Sequence, residues 1–245
     1  MDKKFLITGA SSDVGILLLQ RLLAQDGTGE YAVQGFGDLA GLAPLAKQYP
    51  GRLHTFDVNL ADPDSRELFL AQVEKRLGVP THIVHLPALR VVNTKFKNFD
   101  ADRFMLDMQV QPLAAAAVCQ RFLPAMAKQR YGRVLFMLTS YVLGVPPKNT
   151  AAYVMAKEAL RGLAKSLAID YASFGVTVNC IAPSMMETKF LADTPSLIVQ
   201  AAAESNPMGR NATPADVVPA MEFLLGDDAA FITGAVLPIT GGSVF

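Results

Sequence analysis

The chain has 245 residues, 51% of them hydrophobic, and its 22 Lys+Arg balance 22 Asp+Glu. Such a balance excludes the strong global field that recruits nucleic acid or an anionic membrane surface. No apolar run reaches the ~18 residues of a membrane span, and Cys119 and Cys180 lie within apolar segments, as buried small hydrophobes rather than a disulfide or a metal site.

Met1-Asp2-Lys3-Lys4 leads into a short apolar strand, Lys4–Thr8, rather than a secretory signal, so a cytoplasmic location is expected. Thr8-Gly9-Ala10-Ser11-Ser12-Asp13-Val14-Gly15 then turns into a helix over Val14–Gln25. A glycine turn at that place aims backbone N–H groups and the positive end of a helix at a pyrophosphate. Gly9 supplies the tight bend and Gly15 the close packing. Asp13 reads either as a solvent-facing cap or as an anion that weakens dinucleotide binding. A strand over Tyr31–Phe36 follows, then Gly37-Asp38 and a helix near Leu39–Gln48. Asp38 can accept hydrogen bonds from ribose hydroxyls and repel a 2′-phosphate, or simply cap that helix. Next come a strand over Leu53–Val58, a helix over Asp64–Leu77 and a strand over His82–Leu86. His85 is expected to bond backbone and brace the sheet, far from Tyr153.

A long helix is expected over Asp100–Gln129, bent at Pro112, because a proline inside a helix removes a hydrogen bond. The strand Arg133–Leu138 leads to Ser140, and the helix Ala151–Phe174 opens with Tyr153-Val-Met-Ala-Lys157. Tyr153 and Lys157 are four apart and share a helix face. An ammonium beside a phenol favours phenolate and lowers a pKa that starts near ~10. Ser140, thirteen residues earlier, could hydrogen-bond the oxygen that receives the proton. That is the chemistry of a carbonyl reductase or alcohol dehydrogenase, although an isolated pair is more often a Tyr packed on a Lys stem. A strand over Val176–Ala182, helices over Leu191–Glu204 and Pro214–Leu225 and a strand over Ala235–Ile239 complete the chain.

The β-α alternation of nearly all-apolar strands predicts an α/β fold. It is a single-domain, doubly wound, Rossmann-like parallel sheet of about seven strands with helices on both faces. Residues 1–130 would bind dinucleotide and 131–245 would carry catalysis and substrate. Ligands in such sheets bind outside the carboxyl ends of the strands, where Thr8-Gly9, Ser140 and Pro183 all fall.

The glycine turn, Ser140, Tyr153-x-x-x-Lys157 and Pro183-Ser184-Met185-Met186-Glu187-Thr188 together resemble the short-chain dehydrogenase/reductase family. Its motifs read T-G-x-x-x-G-x-G, Ser, Y-x-x-x-K and P-G-x-x-x-T. Asn206-Pro207-Met208-Gly209-Arg210, Phe231-Ile232-Thr233-Gly234 and Gly241-Gly242 resemble its 3-oxoacyl-carrier-protein reductase branch. The resemblance implies a catalytic set of Ser140, Tyr153, Lys157 and Gln111, the last standing where the family has Asn. It implies cofactor contacts from Gly9, Ser11, Ser12, Asp13, Val14 and Gly15 in the turn, and from Asp38, Asp57, Val58, Pro87 and Ala88 along the adenosine side. Tyr153, Lys157, Pro183, Met186 and Thr188 would complete them at the nicotinamide end. No metal is expected. NAD(H) is favoured by Asp38 and the lack of basic residues beside it, NADP(H) by the branch.

The expected substrate is a ketone, foremost a 3-oxoacyl thioester on a carrier protein or CoA. It would enter between a mouth at Leu89–Phe99 and a lid at Met185–Pro207, with Arg90, Lys95, Lys97 and Arg103 nearby. A secondary-alcohol, sugar or steroid dehydrogenase and a non-catalytic dinucleotide sensor remain as alternatives. The resemblance also implies a homodimer or homotetramer, through the alanine-rich helix Ala151–Phe174 and the apolar ending Ser243-Val244-Phe245.

Overall fold

The computed structural model describes residues 2–244. Seven strands form one sheet: β1 (Lys4–Thr8), β2 (Glu30–Gly35), β3 (Leu53–Asp57), β4 (His82–His85), β5 (Gly132–Met137), β6 (Val176–Pro183) and β7 (Val236–Ile239). Their spatial order is β3-β2-β1-β4-β5-β6-β7, with every neighbouring pair parallel. The sequence-predicted strands hold to within a residue. Phe136 is wholly buried in β5, a burial that stabilises the fold by about 1.5–3 kcal/mol.

Successive residues of a strand point to opposite faces, so each strand feeds two cores. Leu6, Val134 and Phe136 face α3 (Pro63–Leu77), α5 (Ala114–Gln129) and α6 (Ala151–Tyr171). Phe5, Ile7, Leu135 and Ile181 face α1 (Asp13–Gln25) and α8 (Pro214–Leu225). Helix starts are marked in the sequence. Ser12 accepts a hydrogen bond from the Gly15 N–H ahead of α1, Asp62 one from the Ser65 N–H ahead of α3, and Thr213 with Asp216 forms a reciprocal capping box for α8.

Three helices depart from expectation. α2 covers only Ala43–Gln48, because Asp38 turns an oxygen to the Ala40 N–H in the loop ahead of it; Asp38 is therefore not its cap. The long helix is two helices, α4 (Ala101–Met108) and α5, joined by a π turn over Gln109–Leu113. Pro112 sits inside that turn, where the wider spacing accommodates its missing N–H. α7 begins at Ser196 rather than Leu191, since Pro195 occupies the N-cap position. Near the C-terminus, the Asn206 amide donates to the Thr240 carbonyl at 2.9 Å, and a Cβ on Gly241 would lie 2.5 Å from Asn206 Oδ1. Close backbone approach explains that glycine. Phe245, part of the predicted assembly contact, lies outside the described residues.

Candidate active site

Strand order reverses between β1 and β4, which opens a crevice at their carboxyl ends. The glycine turn crosses β4's exit there. Gly9 has φ +69°, and a Cβ on it would meet Pro87 N at 2.8 Å. Gly15 is equally constrained, since its Cβ would lie 2.5 Å from the Ala10 carbonyl oxygen. Gly9→Ala is expected to cost on the order of 1–3 kcal/mol from backbone conformation alone. A calorimetric scan should show that as a melting temperature lower by several degrees, with weakened dinucleotide affinity.

Ser12, not Asp13, caps α1. Asp13 lies in the first turn and accepts a hydrogen bond at 2.6 Å from the backbone N–H of Lys189, 176 residues away. The expected solvent-facing cap is instead a tie between the glycine turn and the loop after β6. The same loop is tied to the mouth by an exposed ion pair between Arg90 and Asp193. Asp57 accepts from the Gly37 N–H at 2.9 Å and braces the turn after β2, while Val58 is half-buried beside it. Asp38 stays exposed, with Oδ2 free of the bond that Oδ1 makes. Pro183 ends β6 opposite Ile239, Met186 bridges to Ala212, and the Thr188 hydroxyl donates to the Met186 carbonyl at 3.4 Å.

The catalytic candidates converge between β5, the π turn and α6. Ser140 is buried and starts a short 3-10 turn just beyond β5. The residues on either side of it both reach Tyr153. The Tyr141 ring meets the Tyr153 ring edge-on at 6.1 Å, and the Thr139 side chain acts on the phenol in the direction that favours its ionised form. Lys157, one turn further along α6, is only 1% exposed, and its Nζ donates to the Met137 carbonyl at 2.7 Å. That ammonium lies 5.8 Å from the centre of the Tyr153 ring.

The electrostatics correct the sequence expectation. Burial raises the Tyr153 phenol above its ordinary range and outweighs the lowering influence of Thr139. Lys157 is itself affected: burial pulls it down to about 8, against the carboxylate of Asp107. Desolvation dominates both groups because the charged form of each loses its water and gains no directly paired counter-ion.

Gln111 is fully buried in the π turn. Its Nε2 donates to Asp107 Oδ1 at 2.9 Å, and its Oε1 has no partner. His85 does brace the sheet, with Nδ1 2.8 Å from the Thr8 hydroxyl. Burial first, and the charge of Lys157 second, lower His85 to about 3 and keep the ring neutral. Asp107 and Thr139 are the site residues that the sequence reading missed. Asp107 had a signal in its spacing, an acid four residues before Gln111 on a helix; Thr139 had none.

A family model described as enoyl-(acyl carrier protein) reductase matches residues 22–243. The 3-oxoacyl-[acyl-carrier-protein] reductase MabA of Mycobacterium avium is 29% identical, over 99% of this chain and 90% of that protein. The cis-4-hydroxycyclohexanecarboxylate dehydrogenase of Sinomonas cyclohexanicum is 27% identical, over 98% of this chain and 96% of its own. Levodione reductase shares the fold, with a TM-score of 0.90 at 22% identity over 99% of this chain and 97% of that one. Among the described residues, no group of His, Cys, Asp and Glu could hold a metal ion, and no helix is long and apolar enough to cross a membrane.

Proposed function

The chain belongs to the short-chain dehydrogenase/reductase family, and from that premise we propose that this NAD(P)-dependent oxidoreductase reduces a ketone, foremost a 3-oxoacyl thioester on a carrier protein or CoA. The observation that carries the reading is Tyr153, packed edge-on against Tyr141 next to Ser140 and backed by a buried Lys157. Two O–H donors on one rim suit a substrate oxygen that gains negative charge.

The crevice fits a dinucleotide. A Cβ on Gly9 or Gly15 would fill the turn, and the N-terminus of α1 meets the crevice at the switch point. Gly9, Ser11, Ser12, Asp13, Val14 and Gly15 would hold the pyrophosphate end. Asp38, Asp57, Val58, Pro87 and Ala88 would line the adenosine side, and Pro183, Met186 and Thr188 the nicotinamide end. When bound, the dinucleotide supplies the hydride.

The rest of the chemistry belongs to the chain. Tyr153 gives the proton of its phenol to the substrate oxygen, and Ser140 donates a hydrogen bond to that same oxygen as charge develops. Lys157 balances the phenolate left behind, and its bond to the Met137 carbonyl holds the ammonium in place. Gln111 fixes the opened turn against α4. The homodimer or homotetramer expected from the family would pack α6 between copies. Function in the cytoplasm completes this reading.

A second reading is favoured by Asp38, whose free, exposed oxygen suits a ribose hydroxyl and opposes a 2′-phosphate. NAD(H) preference would suit oxidation of a secondary alcohol, as the name of the Sinomonas relative also suggests. Fluorescence titration with NADH and NADPH, followed by assay of an acetoacetyl thioester, tests both. Reduction of the thioester supports the leading reading. Tight NADH binding with turnover only of cyclic or steroid alcohols supports the second, and no micromolar binding of either nucleotide would falsify both.

A further inference from the structure

A buried carboxylate stands beside the proton-delivery pair. Asp107 is 5% exposed, on the last turn of α4, and faces charged or titratable groups from three directions. On its own element it holds Gln111 through the 2.9 Å bond and feels Arg103 one turn earlier. From α6 it feels Lys157 and Tyr153, and the loop after β4, at Leu89, adds a smaller influence that favours its ionised form. Asp107, Arg90, Arg103, Asn149 and Tyr153 line one cavity of about 70 Å³, which places this carboxylate and the phenol on the same small space.

The spare bonding capacity in this cluster is complementary. An ammonium has three N–H donors, and Lys157 uses one of them on Met137. Gln111 keeps one acceptor, Oε1, buried and unpartnered. A buried ammonium without a counter-charge sheds its proton, since burial penalises the charged form. Among the titratable groups acting on Lys157, Asp107 is the foremost that opposes burial; Cys180 adds a smaller push in the same direction, and His85 is neutral. Burial raises the Asp107 carboxyl above its ordinary range, while the Gln111 amide and the charges of Arg103 and Lys157 oppose that shift and favour the ionised form.

We propose that Asp107 is a positioning residue for proton delivery: its buried carboxylate, one turn before Gln111 and bordering the same cavity as Tyr153, keeps Lys157 charged. A charged Lys157 is what allows Tyr153 to part with its proton. The inference rests on the reading of Tyr153 and Lys157 as the proton-delivering pair. One proton leaves Tyr153 for the substrate oxygen in each turnover, and one enters from water in the cavity to restore the phenol.

The test compares wild type with Asp107→Asn, which keeps an acceptor for Gln111 and removes the charge, and with Asp107→Glu, which restores it. The full-length chain carries 13C at the lysine Cε positions, and the Lys157 resonance is identified by its loss in Lys157→Met. Its titration midpoint is expected to fall by on the order of one pH unit in Asp107→Asn and to recover partly in Asp107→Glu. The pH above which the reduction rate declines, near 8 in wild type from Lys157 itself, should move down with it. An unchanged Lys157 midpoint in folded Asp107→Asn overturns the proposal and leaves ketone reduction standing. A shifted midpoint in a protein that reduces no ketone sinks the functional reading instead. If Asp107→Asn does not fold and Asp107→Glu titrates as wild type while losing turnover at every pH, the carboxylate is structural only and the proposal also fails.

Discussion

Tyr153→Phe is expected to lower turnover by on the order of 10²–10⁴-fold, the range attributed to one positioned general acid, while leaving dinucleotide affinity close to wild type. The ring would remain, and so would its edge-on packing against Tyr141 at 6.1 Å. What disappears is the only proton the substrate oxygen can draw from this residue. The Thr139 hydroxyl would keep the bond it accepts from the Tyr141 N–H, 3.4 Å away. Steady-state rates on a ketone found active with wild type, together with NADH fluorescence titration, separate the two quantities. Turnover within tenfold of wild type would remove Tyr153 from the chemistry and point to a sensor.

Lys157→Met should give a different signature, because the lysine acts on both sides of the site. Methionine matches the stem and fills the buried space, but it cannot bond the Met137 carbonyl or balance the phenolate. A rate loss again on the order of 10²–10⁴-fold is expected from the altered acid. Dinucleotide affinity should also fall, by about 10–100-fold, the equivalent of a lost hydrogen bond from a charged donor. Asp107 would then be left as a buried carboxylate without the ammonium near it, and such a group raises its pKa or costs stability. If turnover falls while affinity stays at wild type, Lys157 does not hold the nucleotide and serves Tyr153 alone.

These outcomes turn on distances that no local reading could supply, and the same division runs through the fold. The seven strands were legible because each is an apolar run between polar turns, a pattern that burial on both faces imposes residue by residue. The starts of α1, α3 and α8 were legible to within a residue, while the caps that fix them, Ser12, Asp62 and Thr213, emerged only in the structure. The bend at Pro112 followed from one missing N–H. Its form, a π turn with Gln111 facing Asp107, did not, because that turn packs against α6, which lies far along the chain.

Sequence alone thus determined the sheet and the glycine turn at its first crossover, and it supplied Ser140, Tyr153 and Lys157 as the candidate set. Each is encoded in short-range spacing, and spacing survives whatever packs above it. Only the tertiary structure decided what those groups experience. It turned Lys157 to the Met137 carbonyl and set Asp107 against it. It raised rather than lowered the Tyr153 phenol, and tied Asp13 to Lys189 across the crevice. Proton affinity depends on the water excluded and the charges brought near, and both are properties of residues far apart in the chain.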